Sequence, residues 1–409
     1  MSPDPATTVD GVEMGEGTRA VHPPPAPVPE QEPLGLAVHR SAAFRFRNAQ
    51  EYADLLAGTV PGYSYSRIDN PTCDALALAI AALEDPSGTA RCEVFASGMA
   101  AITAVVLGLG RAGGHVVAPV ELYGGTYGLL SGLLERWGVS VSYVDQRDLE
   151  AVRAALRPGQ TFLVLAEILA NPTMTVADVP ALSALAHAAG LPLVVDATFA
   201  SPVVCRPLAL GADLVVHSAT KYLGGHADAT AGAVVGRAEL LAPVRLVRIT
   251  TGSTLSPDEA FLVHRGLATL PLRVRRACES ATWLAQRLVL HPGVARVDHP
   301  SLPGRDRVLA ERDFAPGLFG AVLTITPPGG REAGMAFADG LRLARNATSL
   351  GGVHSKVSHA ASTTHRQLDE EALLAARIDP GAVRLSVGLE DREDLLADLC
   401  QALEGVQVR

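Results

Sequence analysis

Residues 212–236 read ADLVVHSATKYLGGHADATAGAVVG, and the reading of this stretch decides the fold. Leu214-Val215-Val216 is a short apolar run of the kind that forms a buried strand. A hydroxyl-rich turn, Ser218-Ala219-Thr220, follows it, then Lys221, the pair Gly224-Gly225 and a second apolar run ending at Gly236. A lysine set between hydroxyls and glycines, just beyond the carboxyl end of a strand, occupies the position where open α/β sheets hold their ligands.

Working outward, short apolar runs alternate with helical patterns. Helices are expected over residues 75–83, 98–109, 125–137, 149–156 and 180–189, and strands over 92–96, 115–118, 139–144, 162–166, 191–195 and 213–216. This repeat implies parallel βαβ units with right-handed crossovers, an α/β fold. The pattern changes near residues 267–276. Beyond lie helices over 278–290, 332–343 and 392–404 and strands near 294–297 and 320–325, a smaller α+β domain. The expected division is a proline-rich mobile tail over residues 1–34, an arm over 35–72, a large domain over 73–266 and a small C-terminal domain over 267–409. Residues 61–72, PGYSYSRIDNPT, are too broken by glycine and proline to be regular, so Tyr63, Tyr65 and Arg67 read as loop residues packing rings on the core.

The chain of 409 residues carries a net charge of −9 and no basic run, which argues against a nucleic-acid partner. Its five cysteines are scattered without a CxxC pair, the usage of a reducing cytosol. No apolar run reaches membrane-spanning length and no basic-then-apolar leader is present, so a cytoplasmic protein is expected.

Four further features gather around Lys221. Ser97-Gly98-Met99 lies between a strand and a helix start, where free N–H groups and the helix dipole make an anion site, although a serine there is also an ordinary N-cap. Asp196 ends the strand LPLVVDA and is either a loop cap or a functional carboxylate at the sheet edge. Tyr123 follows the 115–118 strand and is either a stacking ring or a capping aromatic. Arg384, in an apolar strand, needs a partner, either a structural carboxylate or that of a substrate. A literal GxGxxG at residues 108–113 ends a helix and leads into a strand, the wrong context for a dinucleotide fingerprint. His226 and Asp228 have no further ligand cluster, so no metal is expected. A lysine, a carboxylate and an anion site on neighbouring strand ends agree on one ligand, pyridoxal phosphate: an imine for the lysine, a ring nitrogen kept protonated by the carboxylate, and a phosphate.

YSRIDNPT, SGMAA, LYGGT, DATFASP, RPLALGADLVVHSATKYLGGHAD, SLGG, STTH and VRLSVGLED occur in this order. Together they resemble the pyridoxal-phosphate-dependent trans-sulfuration (Cys/Met metabolism) enzymes, among them cystathionine γ-synthase, cystathionine γ-lyase, methionine γ-lyase and O-acetylhomoserine sulfhydrylase. The resemblance runs from about Phe44 to the C-terminus. It implies a fold type I (aspartate aminotransferase-like) architecture, with a mostly parallel seven-stranded sheet, in a homotetramer of two active dimers. It implies Lys221 as the Schiff-base lysine, Asp196 as partner of the ring nitrogen and Tyr123 as stacking ring and acid or base. Ser97, Gly98, Met99, Thr198, Ser218 and Thr220 would hold the cofactor and its phosphate. Asn171 would face the ring hydroxyl. Tyr65 and Arg67 would complete the neighbouring subunit's site, with Tyr65 also able to act as an acid. Ser349 and Arg384, with Thr348 beside them, would bind the substrate.

The implied reaction is γ-elimination or γ-replacement on an L-amino acid with a γ-leaving group, with a thiol as a possible co-substrate. A β-lyase, a specialised secondary-metabolism enzyme and a non-catalytic cofactor-binding protein are the alternatives. Thr348 stands where the γ-lyases and γ-synthases usually carry glutamate, and Gly125 where methionine γ-lyases usually carry cysteine. Ala197 replaces the asparagine of the usual DNT, and His359-Ala360-Ala361 replaces HPA. STTHRQL leans toward the sulfhydrylase branch. His354 and Lys356 belong either to a solvated loop or to a positive substrate mouth that favours a neutral or anionic γ-substituent, such as an acylated homoserine.

Overall fold

The apolar runs become the strands of a seven-stranded sheet in the computed structural model, which describes residues 8–9, 12–13, 18, 21, 33–366 and 369–407. In chain order they are β1 (Arg91–Phe95), β2 (His115–Pro119), β3 (Ser140–Val144), β4 (Thr161–Glu167), β5 (Leu193–Asp196), β6 (Leu214–His217) and β7 (Gly232–Gly236). Their spatial order is β1-β7-β6-β5-β4-β2-β3. The strands from β6 to β3 pair in parallel, while β7 runs antiparallel to both its neighbours. The exception lies in the opening stretch: the connection from β6 to β7 is spent on turns around Lys221 and has no crossover helix, so the chain returns antiparallel.

Central strands β2, β4 and β6 are buried along their whole length, which is why they read as unbroken apolar runs. One face packs against Leu76 and Ile80 of the helix Pro71–Glu84, the other against Ile102 and Val105 of the helix Gly98–Leu109. The segment expected as one helix over 125–137 is helical but irregular. It opens as Gly124–Gly128, widens into a π turn over Leu129–Leu134 and tightens into a 3-10 turn over Glu135–Trp137. Gly125, Gly128 and Gly132 lower its helix propensity, so packing on the sheet decides its winding.

A second sheet contains β8 (Arg296–Asp298), β9 (Val322–Thr326), β10 (Arg345–Asn346), β11 (Lys356–His359) and β12 (Val383–Ser386), ordered β8-β9-β12-β11-β10. Only β10 and β11 pair in parallel. The helix Leu270–Leu288 ties the sheets together: Leu270, Val274 and Cys278 lie in the first core, Ala281, Leu284 and Leu288 in the second.

The arm holds a helix that the sequence reading did not pick out, Ala49–Leu56, which Asn48 caps by accepting from the Glu51 N–H at 2.8 Å. Lys356 begins a strand instead of lying in a solvated loop.

Residues 38–409 form one compact unit. Residues 1–37 form another, in which Thr8–Val9 pairs antiparallel with Val12–Glu13. The mobile tail expected over residues 1–34 lies mostly outside the described residues. Among the described residues no helix is long and apolar enough to cross a membrane.

Candidate active site

Parallel strands carry their carboxyl ends to one edge of the sheet, and the residues just beyond those ends converge there. Asp196 ends β5 in register with Glu167 at the end of β4 and with Val216 in β6. Lys221 follows β6 in a tight turn, its N–H donating to the Ser218 carbonyl at 3.0 Å and its own carbonyl accepting from the Gly225 N–H at 2.7 Å.

The Lys221 amine is half-buried and donates to Ser349 Oγ at 2.7 Å. Burial, reinforced by the positive charges of Arg384 and Lys356, pushes its pKa down to about 8. An amine so placed holds and releases a proton near neutral pH. Ser349 adopts a left-handed backbone, φ 80°, rare for a residue with a side chain. At Gly351 the same loop passes so close that a Cβ would stand 2.7 Å from the Tyr222 nitrogen.

Asp196 accepts from the Thr198 N–H at 2.9 Å. Burial raises the pKa of its carboxyl, with hydrogen bonds from Thr198 and the nearby His217 opposing. Glu167 is raised far more, first by burial and then by the charge of Asp196. Its oxygens accept from the Tyr123 N–H at 2.7 Å and the Asn171 N–H at 3.3 Å, so one buried carboxyl ties together the loops that carry both residues. The sequence reading missed Glu167, although the signal was that of Asp196: an acid closing an apolar strand, here TFLVLAE.

Arg384 lies in β12 and is 4% exposed. Its Nη1 donates to Asn171 Oδ1 at 3.0 Å and its Nη2 to the Ser349 carbonyl at 3.1 Å. Among the described residues no carboxylate pairs with it, so the structural ion pair that the sequence left open is not made. Among the described residues, Arg384 Nε and Asn171 Nδ2 are buried donors without a partner. Ser358, opposite Arg384 in the β11–β12 ladder, and Tyr222 each bury a hydroxyl without one among these residues. His365 likewise buries an Nε2 unpaired among them, and burial, with the nearby Arg384 charge, pushes its pKa down to about 4. Buried polar atoms are almost always hydrogen-bonded, so this cluster marks a place shaped for a polar ligand.

The anion site is equally close-packed. Ser97 caps the helix Gly98–Leu109 through the Ala100 N–H at 3.1 Å. A Cβ at Gly98 would lie 2.7 Å from Ser218 Cβ, and one at Gly232 would lie 2.1 Å from the Ser97 carbonyl oxygen. Backbone therefore meets backbone around the free N–H groups of the helix start. The Ser218 N–H is taken by Thr198 Oγ1 at 2.8 Å. The Thr220 hydroxyl accepts from the Ala231 N–H at 2.9 Å and donates to its carbonyl at 3.2 Å, so it braces the turn instead of offering a free donor. Gly232→Ala is expected to destabilise the protein by about 1–3 kcal/mol through overpacking and to weaken retention of a phosphate-bearing cofactor. Thermal unfolding and cofactor titration check the two effects.

Tyr123 caps the helix Gly124–Gly128 and is 42% exposed. Its ring lies over Gly125, where a Cβ would stand 2.5 Å from the ring and 3.0 Å from Met99 Sδ. Glycine at 125 thus leaves the ring room that a cysteine would take. Thr348 is exposed beside Ser349. Tyr65, 45% exposed, and Arg67 contact each other, the guanidinium 5.7 Å from the ring centroid, and Arg67 Nη1 donates to the Ile249 carbonyl at 2.8 Å. Among the described residues neither makes a hydrogen bond or ring contact with Lys221, Asp196, Ser349 or Arg384.

Pyridoxal phosphate fits the residues present. The helix start between Ser97 and Ser218 suits its phosphate, the half-buried Asp196 its ring nitrogen, and the unpaired Asn171 Nδ2 its ring hydroxyl.

Residues 17–404 match the family described as Cys/Met metabolism PLP-dependent enzymes. The L-methionine gamma-lyase of Treponema denticola is 41% identical over 376 residues, covering 91% of this chain and 92% of that protein. The O-succinylhomoserine sulfhydrylase of Pseudomonas aeruginosa is 39% identical over 90% of each chain. Among solved structures, the cystathionine gamma-lyase from Lactobacillus plantarum complexed with L-serine superposes with a TM-score of 0.84 at 35% identity, covering 91% of this chain and 93% of that one.

Proposed function

The chain belongs to the Cys/Met metabolism PLP-dependent enzymes, and from that premise we propose that it catalyses γ-elimination or γ-replacement on an L-amino acid bearing a leaving group at its γ-carbon. The observation that carries this reading is the set of unpaired buried donors around Arg384, facing a lysine whose proton affinity is already lowered.

Pyridoxal phosphate, when bound, supplies an electron sink for the bonding pair left at the substrate α-carbon. Asp196 supports that role by offering a carboxylate to the ring nitrogen, and Tyr123 orients the ring by stacking. Arg384, through its unpaired Nε, binds the substrate α-carboxylate, with the Ser349 loop as the wall beside it. The Lys221 amine, released from Ser349 Oγ, takes the α-proton and returns protons along the side chain; an amine titrating near 8 does both at neutral pH. Glu167 holds Tyr123 and Asn171 in place through their N–H groups. Tyr123 serves as acid on the departing γ-group.

Tyr65 and Arg67, exposed and without a hydrogen bond to their own Lys221, are assigned to the phosphate site of a neighbouring subunit in a tetramer of two active dimers. Residues 73–266 are assigned to a cofactor-binding domain and 267–409 to a small domain, supported by the separate cores under the two sheets. Five free cysteines are consistent with a cytoplasmic enzyme.

The test is a panel of methionine, cystathionine, homocysteine and O-acyl-homoserines with the holoenzyme, each with and without an added thiol. The expected products are 2-oxobutyrate and ammonia without thiol, and a γ-substituted amino acid where a thiol is accepted. Pyruvate from cystathionine would establish the β-lyase reading instead.

A further inference from the structure

The chain contains 32 arginines and only two lysines, Lys221 and Lys356, and both stand at the same site. In the β11–β12 ladder Lys356 is opposite Ser386, and Ser358 is opposite Arg384. Paired residues, and residues two apart along a strand, project from the same face of a sheet, so Lys356 shares a face with Arg384. It lies about 7 Å further along, the advance of two residues in an antiparallel strand. Its Nζ is 3.4 Å from where a Cβ on Gly352 would be, and that same Cβ would be 3.8 Å from the Gly225 carbonyl, in the turn that carries Lys221. The ammonium therefore borders the mouth of the site beyond the carboxylate clamp.

Lys356 is half-buried and, among the described residues, has no ion-pair partner or hydrogen-bond acceptor. The carboxylate held against the neighbouring Ser355, that of Glu390, is engaged there, accepting from the Ser355 N–H at 2.7 Å and its hydroxyl at 2.8 Å. A partly desolvated cation without a counter-charge is costly unless a ligand supplies one. Elsewhere the chain meets every need for fixed positive charge with arginine. At 356 it keeps the compact ammonium, which acts as a point charge without a preferred plane.

We propose that Lys356 is a specificity-determining residue that binds an anionic group at the far end of the γ-substituent, a carboxylate or a phosphate. This rests on the γ-substitution reading above and narrows its substrate class. A substrate α-carboxylate on Arg384 and a charged acyl or phosphoryl group on Lys356 would be held at both ends, with the γ-carbon between them near the Lys221 amine. His354 is exposed and, among the described residues, makes no side-chain hydrogen bond or ion pair, so it takes no part.

The test compares O-succinyl-, O-phospho- and O-acetyl-L-homoserine as substrates of the holoenzyme, the neutral acetyl ester being the internal reference. Wild type is expected to favour at least one charged ester over the acetyl ester by about tenfold or more in kcat/KM, the scale of a hydrogen bond to a charged group. The succinyl and phospho arms tell whether the anion is carboxylate or phosphate. Lys356→Met is expected to abolish the preference mainly by raising KM for the charged ester, and Lys356→Glu to invert it. Equal loss on all three esters in Lys356→Met, or an unchanged ratio in both variants, would overturn the proposal. Absence of γ-chemistry on every ester, with intact cofactor binding, would instead refute the underlying reading.

Discussion

Lys221→Ala is expected to lower turnover of every γ-substituted substrate by at least about a thousandfold, within the range that a positioned acid–base group contributes, and to remove the visible absorbance of lysine-linked cofactor. Both losses follow from one amine. On the proposed reading Lys221 would be the nucleophile that holds the cofactor covalently, and its pKa, lowered to about 8 by burial, suits its amine to carry the proton at the α-carbon. Pyridoxal phosphate should still bind without a covalent bond, because Asp196 and the helix start at Gly98 do not depend on the lysine. Activity must therefore be measured with cofactor in excess, so that chemistry is separated from occupancy. Lys221→Arg keeps a charge in the turn but has no titrating amine, and is expected to be as inactive. Activity in either variant near the wild-type level would place the chemistry on another residue.

Arg384→Lys is expected to lower kcat/KM by about 30-fold or more, carried chiefly by KM. Truncating one partner of a buried charge pair costs about 2–5 kcal/mol, and each 1.4 kcal/mol is a factor of ten. The charge survives the substitution but the fork does not. Arg384 holds Asn171 Oδ1 and the Ser349 carbonyl with two nitrogens and leaves Nε for a ligand, a division of labour that one ammonium cannot reproduce. Binding of an unreactive amino acid, followed through the cofactor's spectrum, should weaken in parallel. If KM were unchanged and only thermal stability fell, Arg384 would be a structural residue.

The alternation of apolar runs made the large sheet readable, because strands buried on both faces show no polar residues to confuse them. The antiparallel β7 was harder to see, since direction depends on whether a crossover helix is present and not on the strand itself. The helix Ala49–Leu56 was hidden by its brevity and by the broken stretch after it, although its Asn48 cap is an ordinary local signal. In the site, Lys221, Asp196 and Arg384 stood out as polar residues at the ends of, or within, apolar strands. Glu167 carried the same mark and was passed over. Thr220 was read from its place beside the lysine, and only the folded turn reveals that its hydroxyl is spent on Ala231. The strand that begins at Lys356 follows a glycine pair, and its pairing with the distant Val383–Ser386 segment is a long-range fact that no local pattern carries.

The presence of only two lysines permits a direct test of the central claim. Borohydride treatment of the holoenzyme fixes the cofactor to whichever lysine holds it, and peptide mass mapping then locates the pyridoxyl group. The expected product is a single modification on Lys221, with Lys356 unmodified; a pyridoxyl group on Lys356, or on neither lysine, would contradict it.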